Sequence, residues 1–378
     1  MWYPMASEAS LNLSLEPKIR VMVVDDSRVQ REMLILALSQ DPQLEVVGSA
    51  GSGVEAIAQF ARLNVDVVTM DLRMPHMDGL ETASALLKIR AVPILMVTGS
   101  VSRFDQKLVA RALELGILAV THKPSSGEDF NALRQLVKGL SKVRLVRRSH
   151  ETRPETRQET QQYTRLEGLN YPGVRNSPRE LDLSGIRIVG LVASTGGPQV
   201  LEKLLRGLPA HFPLPLLVVQ HIASGFAQSM VDWLKPLCQV PVRLAERGRT
   251  LEPGVWFASE NHLTVQTSWQ HTGQVYTLSN SLEMPVDGHR PSGTVLLRSL
   301  AREYGSAALG AVLTGMGEDG AAGLRELRSS GGLGVAQDPS SATIASMPRA
   351  AIRDGVDAIL KPTELLALLE RLAALAPR

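Results

Sequence analysis

VDVVTMDLRMPHMDGL, residues 65–80, is an apolar run that ends on an acid, Asp71, and then breaks into a turn rich in Pro and Gly. A short continuous apolar run bounded by turn residues reads as a strand buried on both faces, as in a parallel sheet. Four more runs of this kind surround it: IRVMVVDD (19–26), LEVVGSA (44–50), PILMVTG (93–99) and LAVTHKP (118–124). Amphipathic stretches separate them, such as RVQREMLILALSQ (28–40) and SRFDQKLVARALELG (102–116). The alternation predicts βα units and a five-stranded, doubly wound, flavodoxin-like domain over residues 18–143.

In such a sheet ligands bind beyond the carboxyl ends of the strands. Asp25 and Asp26 end the first run, Asp71 the third, Thr98 the fourth, and Lys123 follows the fifth. Asp25, Asp26 and Asp71 together make a hard oxygen site suited to Mg²⁺. A carboxylate can attack phosphorus, and a hydroxyl and an ammonium can hold the phosphoryl oxygens. This constellation, with VDDS, MDLRMPHMDGL, the TG after the fourth run and the KP after the fifth, resembles the receiver domain of response regulators. The resemblance implies that Asp71 accepts phosphate, that Asp25, Asp26 and Asp71 bind Mg²⁺ with the Arg73 carbonyl, and that Thr98 and Lys123 bind the phosphoryl group. Receivers usually carry an aromatic three residues before the lysine. Here that position is Val120, and His122 directly precedes the lysine.

Residues 144–183 change character. RRSHETRPETRQETQQYTR (147–165) has almost no apolar side chains and reads as a linker. Residues 1–17 read as a loose extension. Residues 184–378 return to strand–helix alternation, with candidate strands IRIVGLVAS, LPLLVVQHI, ALGAVLTGM and LGVAQD. Between 242 and 280 the runs VWFASE, HLTVQT and QVYTLSN have hairpin-like spacing, which predicts an antiparallel excursion on a mostly parallel sheet.

Composition narrows the function. The 378 residues carry a formal charge of only +2, and aromatics are 4%. Neither a basic footprint nor a base-stacking platform for nucleic acid is present. One cysteine, Cys238, excludes an internal disulfide and a cysteine-based zinc cluster. No run approaches the roughly 18 apolar residues of a membrane span.

Ser194 stands where a strand turns into the segment TGGPQVLEKLL, His221 ends the next strand, and Asp319 lies just beyond ALGAVLTGM. Alone, each has a plain structural explanation as a helix cap or a satisfied strand-end group. Together they are a nucleophile, a base and an orienter at the ends of three strands. The order Ser…His…Asp and the sequence V-A-S-T-G disfavour the α/β-hydrolases, which run Ser…Asp/Glu…His with G-x-S-x-G.

The motifs ASTGGP, QHI..GF, GHRPS, LTGMGEDG, AQD and MPRAAI, in that order behind a receiver, resemble the catalytic domain of the chemotaxis protein-glutamate methylesterases. The resemblance implies Ser194 as nucleophile, His221 as base and Asp319 as orienter, with Thr195 beside the histidine and the Met316 N–H near the oxyanion. It implies a phosphorylation-activated serine esterase, also a glutaminase, acting on methylated chemoreceptor helices. Its phosphodonor is a histidine kinase and its esterase needs no cofactor. It implies a cytoplasmic monomer that neither binds nucleic acid nor inserts into membranes. His289 is expected to line the cleft, His262 to be structural and His271 to be solvated. The alternative is a response regulator with a binding output, for which residues 184–378 offer no basic recognition helix.

Overall fold

The structure is a computed structural model, and it describes residues 17–99, 103–143, 174–270 and 273–375. In the first unit five parallel strands stand in the order β2-β1-β3-β4-β5. They are β1 (Ile19–Val24), β2 (Leu44–Ala50), β3 (Val67–Asp71), β4 (Ile94–Thr98) and β5 (Ala119–His122). The helices between and after them are α1 (Arg28–Ser39), α2 (Gly53–Phe60), α3 (Gly79–Ile89), α4 (Arg103–Glu114) and α5 (Gly127–Ser141). Every residue of β3 and β4 is buried, which explains why they are apolar but for Thr69 and the strand-end residues Asp71 and Thr98. Local chemistry starts the helices: Ser27 caps α1, and capping boxes Asp78–Glu81 and Ser126–Asp129 open α3 and α5. The strand order reverses between β1 and β3, so Asp25, Asp26 and Asp71 meet at the switch point.

The second unit has a seven-stranded parallel sheet in the order β14-β13-β12-β6-β7-β9-β8. The strands are β6 (Ile188–Ala193), β7 (Pro215–Gln220), β8 (Val242–Leu244), β9 (Gly254–Phe257), β12 (Ala308–Val312), β13 (Leu333–Gln337) and β14 (Ala358–Leu360). Helices α6 (Gly197–Gly207), α7 (Ala227–Leu234), α8 (Gly293–Tyr304), α9 (Ala321–Ser329), α10 (Ser346–Asp354) and α11 (Pro362–Leu375) accompany it. The expected hairpin is there, but as a separate two-stranded ribbon of β10 (His262–Gln270) and β11 (Gly273–Ser281). VWFASE does not belong to it. Its strand, β9, lies parallel between β7 and β8, and all four of its residues are buried. Leu263 and Val265 instead pack under α8 beside Leu296 and Leu300, with the more exposed Thr264 and Gln266 between and after them.

The expected linker ends earlier than its composition suggests. Arg175 bridges to Ala358 of β14, and Leu181 and Leu183 are buried in the second unit. Residues 174–183 therefore belong to that unit, because their apolar side chains and backbone complete its edge. The remainder of the linker, residues 144–173, with residues 1–16 and His271, lies outside the described residues. No helix among the described residues is long and apolar enough to cross a membrane.

The two units touch. α4 packs against α7, and one apolar cluster joins Val109, Ala112, Ile117 and Val120 to Leu201, Phe226 and Met230. Val120 is thus a core residue under the contact between units. At the edge strand β5, the Gly196 N–H donates to the Leu118 carbonyl (3.3 Å) and Gln199 Nε2 to the Ile117 carbonyl (3.0 Å). His122 Nε2 reaches the Ser224 carbonyl at 3.0 Å, and its ring stacks on Phe226.

Candidate active site

The first site is the acidic pocket at the top of β1 and β3. Oxygens of Asp25, Asp26 and Asp71 lie within 4.8 Å of one another. Lys123 Nζ pairs with Asp25 Oδ2 at 2.7 Å and with Asp71 Oδ2 at 2.8 Å. Thr98 is buried at the end of β4, and its carbonyl accepts the Lys123 N–H at 2.8 Å. The Arg73 N–H donates to Asp71 Oδ1 at 3.3 Å. Burial pushes the Asp71 carboxyl up, and Lys123 only partly offsets this. Burial works against the Lys123 ammonium, but its bonds to Asp25 and Asp71 outweigh that and raise it. Three carboxylates against one ammonium leave a surplus of negative charge, and this donor set fits a hard divalent cation.

The second site lies along the carboxyl edge of the larger sheet. β7, β6 and β12 are adjacent strands, so the residues that follow them share one edge. Ser194 follows β6 in a tight turn, where the Gly197 N–H returns to the Ser194 carbonyl at 2.8 Å. Gly196 holds φ +77°, a left-handed value that suits glycine. Gly315 faces the serine so closely that a Cβ there would lie 2.6 Å from Ser194 Cβ. Ser194 and Thr195 are both buried. The Ser194 N–H donates to the Thr314 carbonyl (2.9 Å), and Thr314 Oγ1 donates to the Thr195 carbonyl (3.0 Å).

His221 follows β7, and its Nε2 lies 2.8 Å from Asp319 Oδ2. The imidazole thus turns Nε2 to the acid. Nδ1 is buried and has no hydrogen-bond partner among the described residues. In the familiar Ser-His-Asp template the two nitrogens have the opposite roles. Gln220 ties the two loops together, since its Nε2 donates to the carbonyls of Ser194 and His221, each at 2.8 Å.

Asp319 is fully buried. Burial alone would raise its carboxyl. The bond and charge of His221, the Thr294 N–H and the Ser292 hydroxyl together hold it well below the usual carboxylate range. His289 stacks face to face on His221, with centroids 4.0 Å apart and planes 7° from parallel. Burial, aided by repulsion from His221, pushes His289 down to about 4, with Asp319 pulling weakly the other way. Met316 lies in the loop before Asp319; the adjacent Gly315 N–H donates to the Ile344 carbonyl at 2.9 Å.

The sequence-predicted residues therefore gather into two sites. Ser194, Thr195, His221, Met316 and Asp319 follow adjacent strands, and Asp25, Asp26, Asp71, Thr98 and Lys123 share the other pocket. His289 stacks on His221, and His262 is fully buried beside Ser292. Gln220 and Ser292 were not singled out beforehand. Both lie within motifs that carry the family resemblance, QHI..GF and GHRPS, but a glutamine beside a base and a serine opening a helix do not announce these bonds.

Comparison with known proteins agrees with this division. Residues 21–137 match the response regulator receiver domain, and residues 189–369 match the CheB methylesterase domain. A protein-glutamate methylesterase/protein-glutamine glutaminase of Anaeromyxobacter dehalogenans is 40% identical over 364 residues, 94% of this chain and 98% of its own. One from Myxococcus xanthus is 40% identical over 341 residues, 87% and 90% of the two chains. One from Nitrosospira multiformis is 36% identical over 92% of this chain and 95% of its own. Similarity of this extent, through both domains in the same order, makes the chain a member of the protein-glutamate methylesterase/protein-glutamine glutaminase family.

Proposed function

We propose that this protein is a phosphorylation-regulated serine esterase that hydrolyses γ-glutamyl methyl esters on chemoreceptor helices and deamidates receptor glutamines. The observation that carries the reading is the 2.8 Å His221–Asp319 pair on the same sheet edge as Ser194. Asp319 accepts the Nε2–H and so fixes the tautomer in which Nδ1 has a free lone pair. Ser194 Oγ attacks the ester carbonyl while Nδ1 takes its proton. Backbone N–H groups at Thr195 and Met316 stabilise the oxyanion. The protonated imidazole then gives its proton to the departing methoxide, and methanol leaves an acyl-enzyme. Water, deprotonated by the same nitrogen, releases glutamate and the serine. A glutamine substrate follows the same path with ammonia leaving. His289, held neutral, offers a stacking surface to His221 without adding a second positive charge.

The receiver controls access. Its edge strand β5 rests on the loops that carry Ser194 and His221, and the Leu118 carbonyl occupies the Gly196 N–H two residues after the nucleophile. A histidine kinase supplies the phosphoryl group, which passes from a phosphoimidazole to an Asp71 carboxylate oxygen. Asp25, Asp26 and Asp71 would hold Mg²⁺, which offsets charge on the phosphoryl oxygens. Thr98 and Lys123 bind those oxygens, and the new charge takes Lys123 from its present carboxylate partners. The equilibrium then shifts to a form with β5 lifted from the catalytic loops. The protein works in the cytoplasm, as a monomer, against the cytoplasmic helices of receptors.

The test is methanol release from methylated receptor membranes, comparing wild type with Ser194→Ala. Loss of the nucleophile is expected to lower turnover by up to about 10⁶-fold. If wild type with phosphorylated Asp71 releases no methanol from two different receptors, the esterase reading falls and a binding output replaces it.

A further inference from the structure

The fully buried Asp319 is held from more directions than a triad acid needs merely to face a histidine. Oδ1 accepts the Ser292 hydroxyl at 2.7 Å, the Thr294 N–H at 2.9 Å and the Gly320 N–H at 2.9 Å. Oδ2 accepts the Gly293 N–H at 2.6 Å and shares the 2.8 Å contact with His221. The two oxygens thus use all the acceptor capacity that a carboxylate has. Three of these donors, from Ser292, Gly293 and Thr294, are the start of α8.

Ser292 is the N-cap of α8, and Val295 N–H donates to its oxygen at 3.4 Å. With that lone pair taken, the hydroxyl proton points to Asp319. The cap is itself braced: the Ser292 N–H donates to His262 Nδ1 at 3.1 Å. An imidazole that accepts at Nδ1 has its proton at Nε2, and that nitrogen donates to the Met284 carbonyl at 3.1 Å. Ser292 and His262 are both fully buried. The chain of bonds runs Met284, His262, Ser292, Asp319, His221.

We infer that Ser292, braced by His262, is a positioning residue that fixes the rotation of the Asp319 carboxylate and disperses its charge. The consequence is a base whose Nε2 bond has one geometry through the reaction. A carboxylate that gives up the hydroxyl rotates more freely, which lowers turnover without touching substrate binding. It also shifts charge to Oδ2, the oxygen facing His221, and so favours the imidazolium. Among the described residues, the titratable groups against His221 are Asp319 from the loop before α9 and the stacked His289 from the loop before α8. Only the first changes in this comparison.

This inference rests on the triad reading, and the experiment separates the two. Steady-state methanol release is measured against pH for wild type, Ser194→Ala, Ser292→Gly and Ser292→Thr, with a thermal melt of each. Glycine is a tolerated N-cap, so Ser292→Gly removes the hydroxyl at little cost to α8. Expected for Ser292→Gly is a kcat lower by about tenfold or more, as for a lost bond to a charged group, with KM unchanged. Its acid limb moves to higher pH, and Ser292→Thr restores both. His262→Phe, which keeps bulk and loses both bonds, is expected to move kcat and the acid limb in the same direction by less. If Ser194→Ala keeps wild-type turnover, the triad reading fails and takes this inference with it. If Ser194→Ala is inactive but Ser292→Gly has the wild-type kcat and pH profile, the inference alone is overturned. A lower kcat with an unmoved acid limb and no rescue by threonine also overturns it, because that is what a purely structural cap would give.

Discussion

His122 Nε2 stands 3.0 Å from the carbonyl oxygen of Ser224, and this bond joins the Lys123 end of the receiver to the loop that carries His221. On one side, His122 is the neighbour of Lys123, which pairs with Asp71. On the other, Ser224 lies three residues after His221. A movement of Lys123 toward a phosphoryl group pulls on both.

His122→Ala removes that bond and the stack on Phe226. A neutral hydrogen bond contributes about 0.5–1.5 kcal/mol, so the phosphate-free esterase rate is expected to rise about two- to tenfold. Methanol release without a phosphodonor checks it. An unchanged rate with a normally folded protein would show that this contact does not gate the site.

Gly139 of α5 marks a second point of closure. A Cβ there would lie 3.1 Å from both Met316 Sδ and Ile344 Cδ1 of the catalytic unit. Leucine cannot fit without overpacking, which costs about 1–3 kcal/mol unless the units separate. Gly139→Leu is therefore expected to raise phosphate-free activity and to speed amide hydrogen exchange in β5. If exchange in β5 stays as slow as in wild type, the wedge argument is wrong.

Mg²⁺ removal separates control from chemistry. With a small phosphodonor and Mg²⁺, activation is expected within the range of ordinary coupling, about 5–150-fold. EDTA abolishes the activation and leaves the rate without donor as it was, because the triad has no metal ligand role. Asp71→Asn, assayed with donor and Mg²⁺, is expected to show no activation over its own donor-free rate. Activation that survives EDTA would sink the assignment of Asp25, Asp26 and Asp71 to the metal.

His289 gives the catalytic unit an acid sensitivity. Its folded value, near 4, lies below the ordinary 6.5. At pH 7 the ring is mostly neutral whether folded or not, and it contributes little to pH dependence. As pH falls through 6.5 the unfolded chain takes up the proton first, so stability is lost between about 6.5 and 4. His289→Phe keeps a ring on His221 and has no such proton. Its melting temperature is expected to fall less than that of wild type between pH 7 and pH 5. Parallel declines for the two proteins would refute the sign argued here.

The fold and most of the site follow from local sequence. Runs such as ILMV (94–97) and IVGLVA (188–193) are apolar throughout because parallel strands bury both faces, so they announce themselves without neighbours. Strand ends are where such sheets bind, so Asp71, Lys123, Ser194, His221 and Asp319 could be picked out before any contact was known. The family motifs did the same residue by residue.

Three matters were settled only in three dimensions. VWF (255–257) belongs to the parallel sheet, yet it sits beside two hairpin strands of like composition, and only its burial on both faces tells them apart. Residues 174–183 join the catalytic unit because β14 offers an edge to pair with, a fact that no composition carries. His122, Gln220 and Ser292 earn their places from partners far along the chain: Ser224, Ser194 and Asp319. The sequence determined which chemical groups the protein has and the strand ends they occupy. Tertiary structure alone decided which nitrogen of His221 meets Asp319 and which edge of the receiver meets the loops after Ser194 and His221. Hydrogen-bond direction and contact between units depend on geometry across the fold, and that geometry is not periodic in the chain.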